Sequence, residues 1–334
     1  MNFLLLPLRL SAMSFPAALI PHCCFLAGPT ASGKSALALL LAERLNAEIL
    51  ALDSMTVYRG LDIGTAKADA ADRQRVPHHL LDLVNPEDEY SIADYLSAAA
   101  GVAEQVLQQG RVPLFVGGSG LYLRALLRGF SQGPAANWDI RGRWDALARK
   151  RGPEWIHGEL QRVDPQAALR LHPQDLRRII RALEVYEVTG RPISADQQHG
   201  PRSAEWRPRL AVWLDPDREV LRDRIARRTL QMLDQGWLEE SRRLLNREAG
   251  LSRTAQQALG YRELFQHLQG RMSLEEAVQR IRTSTSQFAK RQCTWFRSLE
   301  ECVRLELTGR ESAPEMLERL SILTPGFAPA NALQ

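Results

Sequence analysis

Cysteine is scarce. Four stand among 334 residues, at Cys23, Cys24, Cys293 and Cys302. None has C-x-x-C spacing with histidine support, so a zinc site is not expected. Cys23 and Cys24 fall in an apolar stretch and read as small core residues, in keeping with a reducing cytoplasm. Long apolar runs are also missing. Met1–Leu10 is apolar but too short to span a bilayer, and no basic segment precedes it as a secretory signal would require. Residues 1–19 are expected to be disordered or a start-site extension, with Met13 as an alternative start. Net charge is low as well, at +4, so the overall balance defines no nucleic-acid partner. Hydrophobic content of 45% and charged content of 25% are those of an ordinary globular chain, long enough for about two domains.

What the sequence does hold is Gly28-Pro29-Thr30-Ala31-Ser32-Gly33-Lys34-Ser35, a match to G-x-x-x-x-G-K-[ST] at every fixed position. The apolar run Cys23–Ala27 before it reads as a buried strand, and Ala36–Leu45 after it as a helix. Strand, glycine loop and helix aim backbone N–H groups and a positive helix end at an anion. Lys34 adds a full charge, and the Ser35 hydroxyl suits a Mg²⁺ ion. The motif implies a bound diphosphate or triphosphate and, alone, would suit ATP.

The fold class expected is α/β, with a parallel P-loop sheet flanked by helices. Further strands are expected at Ile49–Leu52, Leu80–Val84, Val112–Val116 and Leu210–Leu214. Asp53 closes the second of these at the rim where open α/β sheets bind ligands, although a turn aspartate is the commoner fate there. Val112–Val116 runs into Gly117-Gly118-Ser119-Gly120, a second glycine turn expected to aim N–H groups at the same rim. No acid follows Val116, which counts against ATP hydrolysis. His78 and His79 have no third ligand nearby and read as loop or cap histidines.

From about Ser131 the strand pattern stops. Residues 132–205 are expected to form a helical insertion between core segments 20–131 and 206–310, with 311–334 a tail. Charge concentrates here: Asp139–Ala182 carries ten Lys and Arg against six acids, and Arg280–Arg297 carries five basic residues and no acid. The two segments suit either an anionic-polymer surface or two solvated helix faces. After Asp215, Arg224 and Arg228 lie four apart on one helix face, placed either to reach the phosphate site or to make structural ion pairs.

Taken together, GPTASGKS (28–35), DSMTVYRGLDIGTAK (53–67), HHLLD (78–82), GGSGLY (117–122), RALEVYEVTGRP (181–192) and AKRQCTWFR (289–297) make the chain resemble the bacterial tRNA dimethylallyltransferases. The resemblance implies transfer of a dimethylallyl group from dimethylallyl diphosphate to N6 of adenosine 37 beside the anticodon. It also implies Mg²⁺, a cytoplasmic monomer, and a P-loop core whose helical insert binds tRNA. It places Asp53 and Ser119 at the reacting base, Ser119 standing where the family has threonine. The loop Gly28–Ser35, with Arg224 and Arg228, would hold the diphosphate, Ser35 being the metal ligand. Ser54, Met55 and Thr56 would line the flipped base, Thr56 replacing a common glutamine. Arg141, Arg177, Arg178, Ile179, Ile180 and Arg181 would contact tRNA. So would Gln257, Gly260, Tyr261, Arg262, Lys290, Arg291 and Arg297, while Trp295 and Phe296 are either base-stacking or core aromatics. The rival reading is a small-molecule P-loop kinase, for which 214–228 would serve as a lid helix.

Overall fold

A computed structural model describes residues 15–131, 133–196 and 200–324. The disorder expected for 1–14 and 325–334 lies outside these residues. The chain forms two compact units, one of 1–127 with 201–334 and one of 128–200.

The first unit is an α/β sandwich. Its strands are β1 (Cys24–Ala27), β2 (Ala47–Leu52), β3 (His78–His79), β4 (Val112–Gly117), β5 (Leu210–Pro216) and β6 (Val303–Leu307). All neighbours pair in parallel, in the order β3-β2-β4-β1-β5-β6. Every residue of β1 and β2 is buried, as a sheet covered on both faces demands. The covering helices are α1 (Lys34–Leu45), α2 (Ala70–Arg75), α3 (Ile92–Gln108) and α4 (Gly120–Arg128), the last of these running into the second unit. The second unit holds α5 (Trp138–Arg151), α6 (Pro153–Val163), α7 (Pro165–Arg170), α8 (Leu176–Thr189) and α9 (Ile193–Asp196). The chain then returns for α10 (Arg218–Asp234), α11 (Trp237–Leu245), α12 (Tyr261–Leu268), α13 (Leu274–Arg297) and α14 (Ala313–Leu323). Among the described residues no helix is long and apolar enough to cross a membrane.

Four expectations need correction. Residues 15–19 are part of the fold, anchored by one side chain: Phe15 is buried and its ring meets Phe115 edge-on at 5.7 Å. Leu80–Val84 is not a strand. Leu80 and Asp82 take left-handed backbone at φ 61° and 55°, and Asp82 turns to pair with Lys67 and Arg73. The 206–310 segment gains an edge strand, β6, in which only Leu305 and Leu307 are buried. The tail expected from 311 holds α14, whose Met316 and Leu320 are buried in one cluster with Leu37 and Leu41 of α1. Ser312 and Glu315 form its capping box, a start signal that ordinarily contributes about 1 kcal/mol.

The described residues of the second unit hold helices α5 to α9 and the loops that join them. Its core gathers Ile156, Leu160, Ala167, Ile179 and Leu183. Glu184, fully buried, accepts hydrogen bonds from Arg141 (2.9 Å), Arg181 (2.6 Å) and the Asn137 amide (2.6 Å). Two cations and an N–H on one buried carboxylate offset its desolvation, and removing a partner would leave an uncompensated charge.

Candidate active site at the glycine loop

The loop after β1 has the shape the motif requires. Gly28 donates to the Gly117 carbonyl at 3.3 Å, tying the loop's start to the end of β4. A side chain at Gly28 would press on Ser32 Oγ at 2.9 Å. Ala31 and Gly33 take positive φ, 63° and 90°, and Gly33 caps α1. The Gly28, Thr30 and Ser32 amides are bonded to Gly117, Gln292 and Pro29, and the loop delivers the chain to the N-terminus of α1, where the helix dipole favours an anion. The Ser32 hydroxyl is buried with no hydrogen-bond partner, an orphaned polar atom inside the loop.

Three cations surround it. Lys34 Nζ donates to the Pro29 carbonyl at 3.3 Å. Burial, and secondarily the Arg228 charge, push its pKa down to about 8 against the pull of Asp53. From α10, Arg228 reaches Thr30 Oγ1 at 3.3 Å and Arg224 the Ala31 carbonyl at 3.4 Å. Both arginines therefore meet the loop itself. Burial lowers the pKa of Arg228, and Asp53 opposes that shift. Ser35 is exposed on the first turn of α1. Among the described residues no group of three His, Cys, Asp or Glu could hold a metal. Ser35 offers a single hydroxyl donor, of the kind a hard ion such as Mg²⁺ takes alongside phosphate and water ligands.

Asp53 follows β2 directly. One carboxylate oxygen accepts the Met55 amide at 2.8 Å. Burial raises its pKa, while the Met55 amide, Lys34, the Thr56 amide and Arg228 each pull it back. The result is a desolvated carboxylate facing cations, which can accept a proton. Ser119 lies beside it, since its amide donates to the carbonyl of Leu52, the residue before Asp53, at 3.2 Å. The Ser119 hydroxyl faces the Tyr122 amide at 3.5 Å, at the start of α4. Thr56 is buried and its hydroxyl also lacks a partner.

The second glycine turn differs from expectation. A Cβ on Gly117 would strike the Leu52 carbonyl oxygen at 2.1 Å, on Gly118 the Gln292 amide at 2.2 Å, and on Gly120 Trp295 at 2.5 Å. These glycines admit close packing, and the Ser119 amide is already bonded to the sheet.

Sequence reasoning also missed three anchoring side chains. Gln292 of α13 accepts the Thr30 amide at 3.0 Å and donates to the Gly118 carbonyl at 2.8 Å, joining the two glycine turns. Glu240 of α11, buried, accepts the amides of Asp62, Ile63 and Gly64 at 3.0–3.3 Å and the Tyr261 hydroxyl at 2.6 Å. Lys67, its side chain 1% exposed, donates to the Tyr58 carbonyl (2.8 Å), Asp62 (2.5 Å) and Asp82 (2.7 Å). Glu240 and Lys67 fix the far end of the loop that begins at Asp53. Both are single residues in polar surroundings, and only the DIGTAK run around Lys67 drew notice.

The candidate RNA contacts divide. Arg177 and Arg178 are exposed, whereas Ile179 and Ile180 are buried. The side chains of those two isoleucines are core, a correction to their assignment as contacts. Arg141 and Arg181 serve Glu184. Tyr261 is buried and bonded to Glu240, and Gly260 closes over Trp237, whose ring a Cβ there would meet at 2.2 Å. They are structural too. Gln257, Arg262, Lys290, Arg291 and Arg297 stay exposed, with Arg297 3.3 Å from Asp215. Phe296 is core, and Trp295 packs on Gly120. His78 and His79 serve the Val76 carbonyl and Glu48.

A glycine loop between strand and helix, at the carboxyl edge of a parallel sheet, places the chain in the class of P-loop-type α/β folds. Within that class the chain belongs to the IPP transferase family, whose model matches residues 56–299. It is 46% identical over 299 residues to a tRNA dimethylallyltransferase of Symbiobacterium thermophilum, covering 88% of this chain and 92% of that one. A tRNA dimethylallyltransferase of Geobacter metallireducens is 44% identical over 283 residues, 85% of this chain and 92% of that one. Among solved structures, the full-length tRNA isopentenylpyrophosphate transferase of Bacillus halodurans superposes with a TM-score of 0.66 at 36% identity, over 91% of this chain and 96% of that one. A eukaryotic dimethylallyltransferase acting on tRNA superposes with a TM-score of 0.74 at 25% identity, over 91% of this chain and 79% of that one.

Proposed function

We propose that the chain transfers a dimethylallyl group from dimethylallyl diphosphate to N6 of adenosine 37 beside the tRNA anticodon, acting as a cytoplasmic monomer. The observation that carries this reading is Asp53 at the carboxyl end of β2, on the rim where Lys34 and Arg228 meet the glycine loop. Membership of the prenyl-transferring family disfavours the kinase alternative.

N6 of adenine is a weak nucleophile, because its lone pair is conjugated into the ring. As N6 attacks the allylic carbon, Asp53 takes the N6 proton, the new N–C bond forms, and the C–O bond breaks with its electron pair leaving on diphosphate. The loop amides, Lys34, Arg224 and Arg228 stabilise the charge that grows on the departing oxygens. Ser35 would hold Mg²⁺, which when bound supplies further positive charge to the diphosphate. The Ser119 amide fixes the end of β2, and its hydroxyl stands at the start of α4, beside the Tyr122 amide. To reach Asp53 the adenine must leave the loop stack. Ser54 and Thr56 border its path, and the partnerless Thr56 hydroxyl is available to it. Arg177, Arg178, Arg262, Lys290, Arg291 and Arg297 supply cationic contacts to phosphates.

The test is label transfer from dimethylallyl diphosphate to an anticodon stem-loop bearing adenosine 37. Asp53→Asn should cut turnover by about two to four powers of ten and leave stem-loop binding nearly intact. Transfer from ATP to an acceptor, with none from the prenyl donor, would refute the reading.

A further inference from the structure

We propose that Gln292 is a positioning residue that couples tRNA bound on α13 to the grip on diphosphate. The inference rests on the substrates proposed above.

The side-chain amide of Gln292 spans two segments distant in sequence. Its oxygen takes the Thr30 N–H inside the loop, and its NH₂ reaches the Gly118 carbonyl after β4. One partner is a donor and the other an acceptor, so only one orientation of the amide makes both bonds. Gln292 is 4% exposed, and a buried amide deprived of its partners costs about 1–3 kcal/mol. The fit is also close. Gly118 has no room for a Cβ against Gln292, nor Gly120 against Trp295 one helical turn further on.

The same stretch of α13 has two faces. Ala289, Gln292 and Phe296, at helical spacing, are buried: Ala289 with Leu221 and Ile225 of α10, Gln292 between the glycine turns and Phe296 against Trp213 of β5. Lys290, Arg291, Thr294 and Arg297 are exposed, and the three cations among them are proposed tRNA contacts. RNA phosphates held on the outer face restrain the helix, and Gln292 carries that restraint to Thr30 and Gly118. The loop that takes the leaving group is thus set by the helix that takes the acceptor. Linkage then requires diphosphate to tighten tRNA by the same factor.

The experiment titrates inorganic diphosphate, with Mg²⁺, onto the full chain with and without the anticodon stem-loop. The stem-loop should tighten diphosphate about tenfold in the wild type, within the usual range of coupling. Gln292→Met, near in volume but unable to make either bond, should reduce that factor to about one or two, as should Gln292→Glu, which cannot donate to Gly118. Both variants should bind the stem-loop alone within about twofold of wild type, because the outer face is untouched. Coupling absent in the wild type, or intact in the variants, overturns the proposal. So does a parallel fall of stem-loop affinity, diphosphate affinity and melting temperature, which would make Gln292 a packing residue only. Should neither variant fold, hydrogen exchange at the wild-type Thr30 amide decides. The stem-loop should slow it, and unchanged exchange refutes the coupling. Failure of the functional reading shows separately, as a wild type that neither binds the stem-loop nor transfers label to it.

Discussion

Two glycine turns follow two adjacent parallel strands, and they solve opposite problems. In Gly28–Ser35 the backbone takes positive φ at Ala31 and Gly33, a buried hydroxyl has no partner, and three cations converge. It is this turn that the proposed diphosphate would complete. In Gly117–Gly120 the carbonyl of Leu52, the amide of Gln292 and the ring of Trp295 occupy the space side chains would need. That turn is complete as it stands. Glycine content therefore does not identify a phosphate site; the unsatisfied polar groups around it do.

The sharpest way to break this contrast is to change one side chain in each turn and follow stability and activity separately. Gly117→Ala meets backbone at 2.1 Å, so the strands must part. A loss of about 3–5 kcal/mol in chemical denaturation is expected, the range of severe core disruption. A folded, fully stable variant would mean the second turn is looser than it is drawn.

Lys34→Met should do the reverse. Loss of a preorganised charge at a leaving group costs about 2–4 kcal/mol of transition-state stabilisation, read as kcat/KM for the donor. The melting temperature should hold or rise, because Lys34 is a desolvated ammonium. Its folded pKa lies below the ordinary value of 10.5, so the charge costs stability below about pH 8, and that cost fades as pH rises toward 10.5. A large drop in melting temperature would make the first turn structural as well.

The pH profile sharpens the same point at smaller scale. Donor kcat/KM should fall above about pH 8 as Lys34 loses its proton. It should also fall in acid, as Asp53, its pKa raised by burial, becomes protonated above the usual carboxylate range. Lys34→Arg should remove the alkaline limb, and an alkaline limb unchanged by that substitution would assign it elsewhere.

The least change is expected from Ala31→Gly. Relief of left-handed strain, about 1–2 kcal/mol, is offset by the added freedom of glycine in the unfolded chain. The net gain should stay below about 1 kcal/mol in denaturation, with donor KM within twofold. The substitution only frees a backbone already suited to its turn.

The elements most legible in the sequence were those with a strong apolar period. β1, α1, β2, β4 and β5 fell within a residue or two of expectation because burial on a sheet or one helix face writes itself into residue order. β6 was missed because it is an edge strand with two buried side chains in five, and α14 because the composition around it resembled a tail. Leu80–Val84 failed because the ion pairs of Asp82 outweigh β-propensity in a short segment. At the site, Lys34 was legible from the motif, whereas Asp53, from its place after a strand, and Arg224 and Arg228, from their shared helix face, each had a structural alternative that only the family resemblance weighed against. Gln292 and Glu240 were not legible, since a buried amide or carboxylate acts through partners many residues away. Motif matching also swept up Ile179, Ile180 and Tyr261, whose neighbours are exposed while they face inward. A contiguous run of residues cannot report which side of a helix each one occupies.

Glu240 carries a different consequence. Three consecutive amides, Asp62, Ile63 and Gly64, close around its carboxylate as such amides close around phosphate. The fold thus contains a second anion receptor, already occupied by a tethered guest that cannot diffuse away. Its effective concentration is fixed by the chain, so free phosphate does not displace it. The loop leading from Asp53 is held by the physics used to capture a substrate, with the turnover removed.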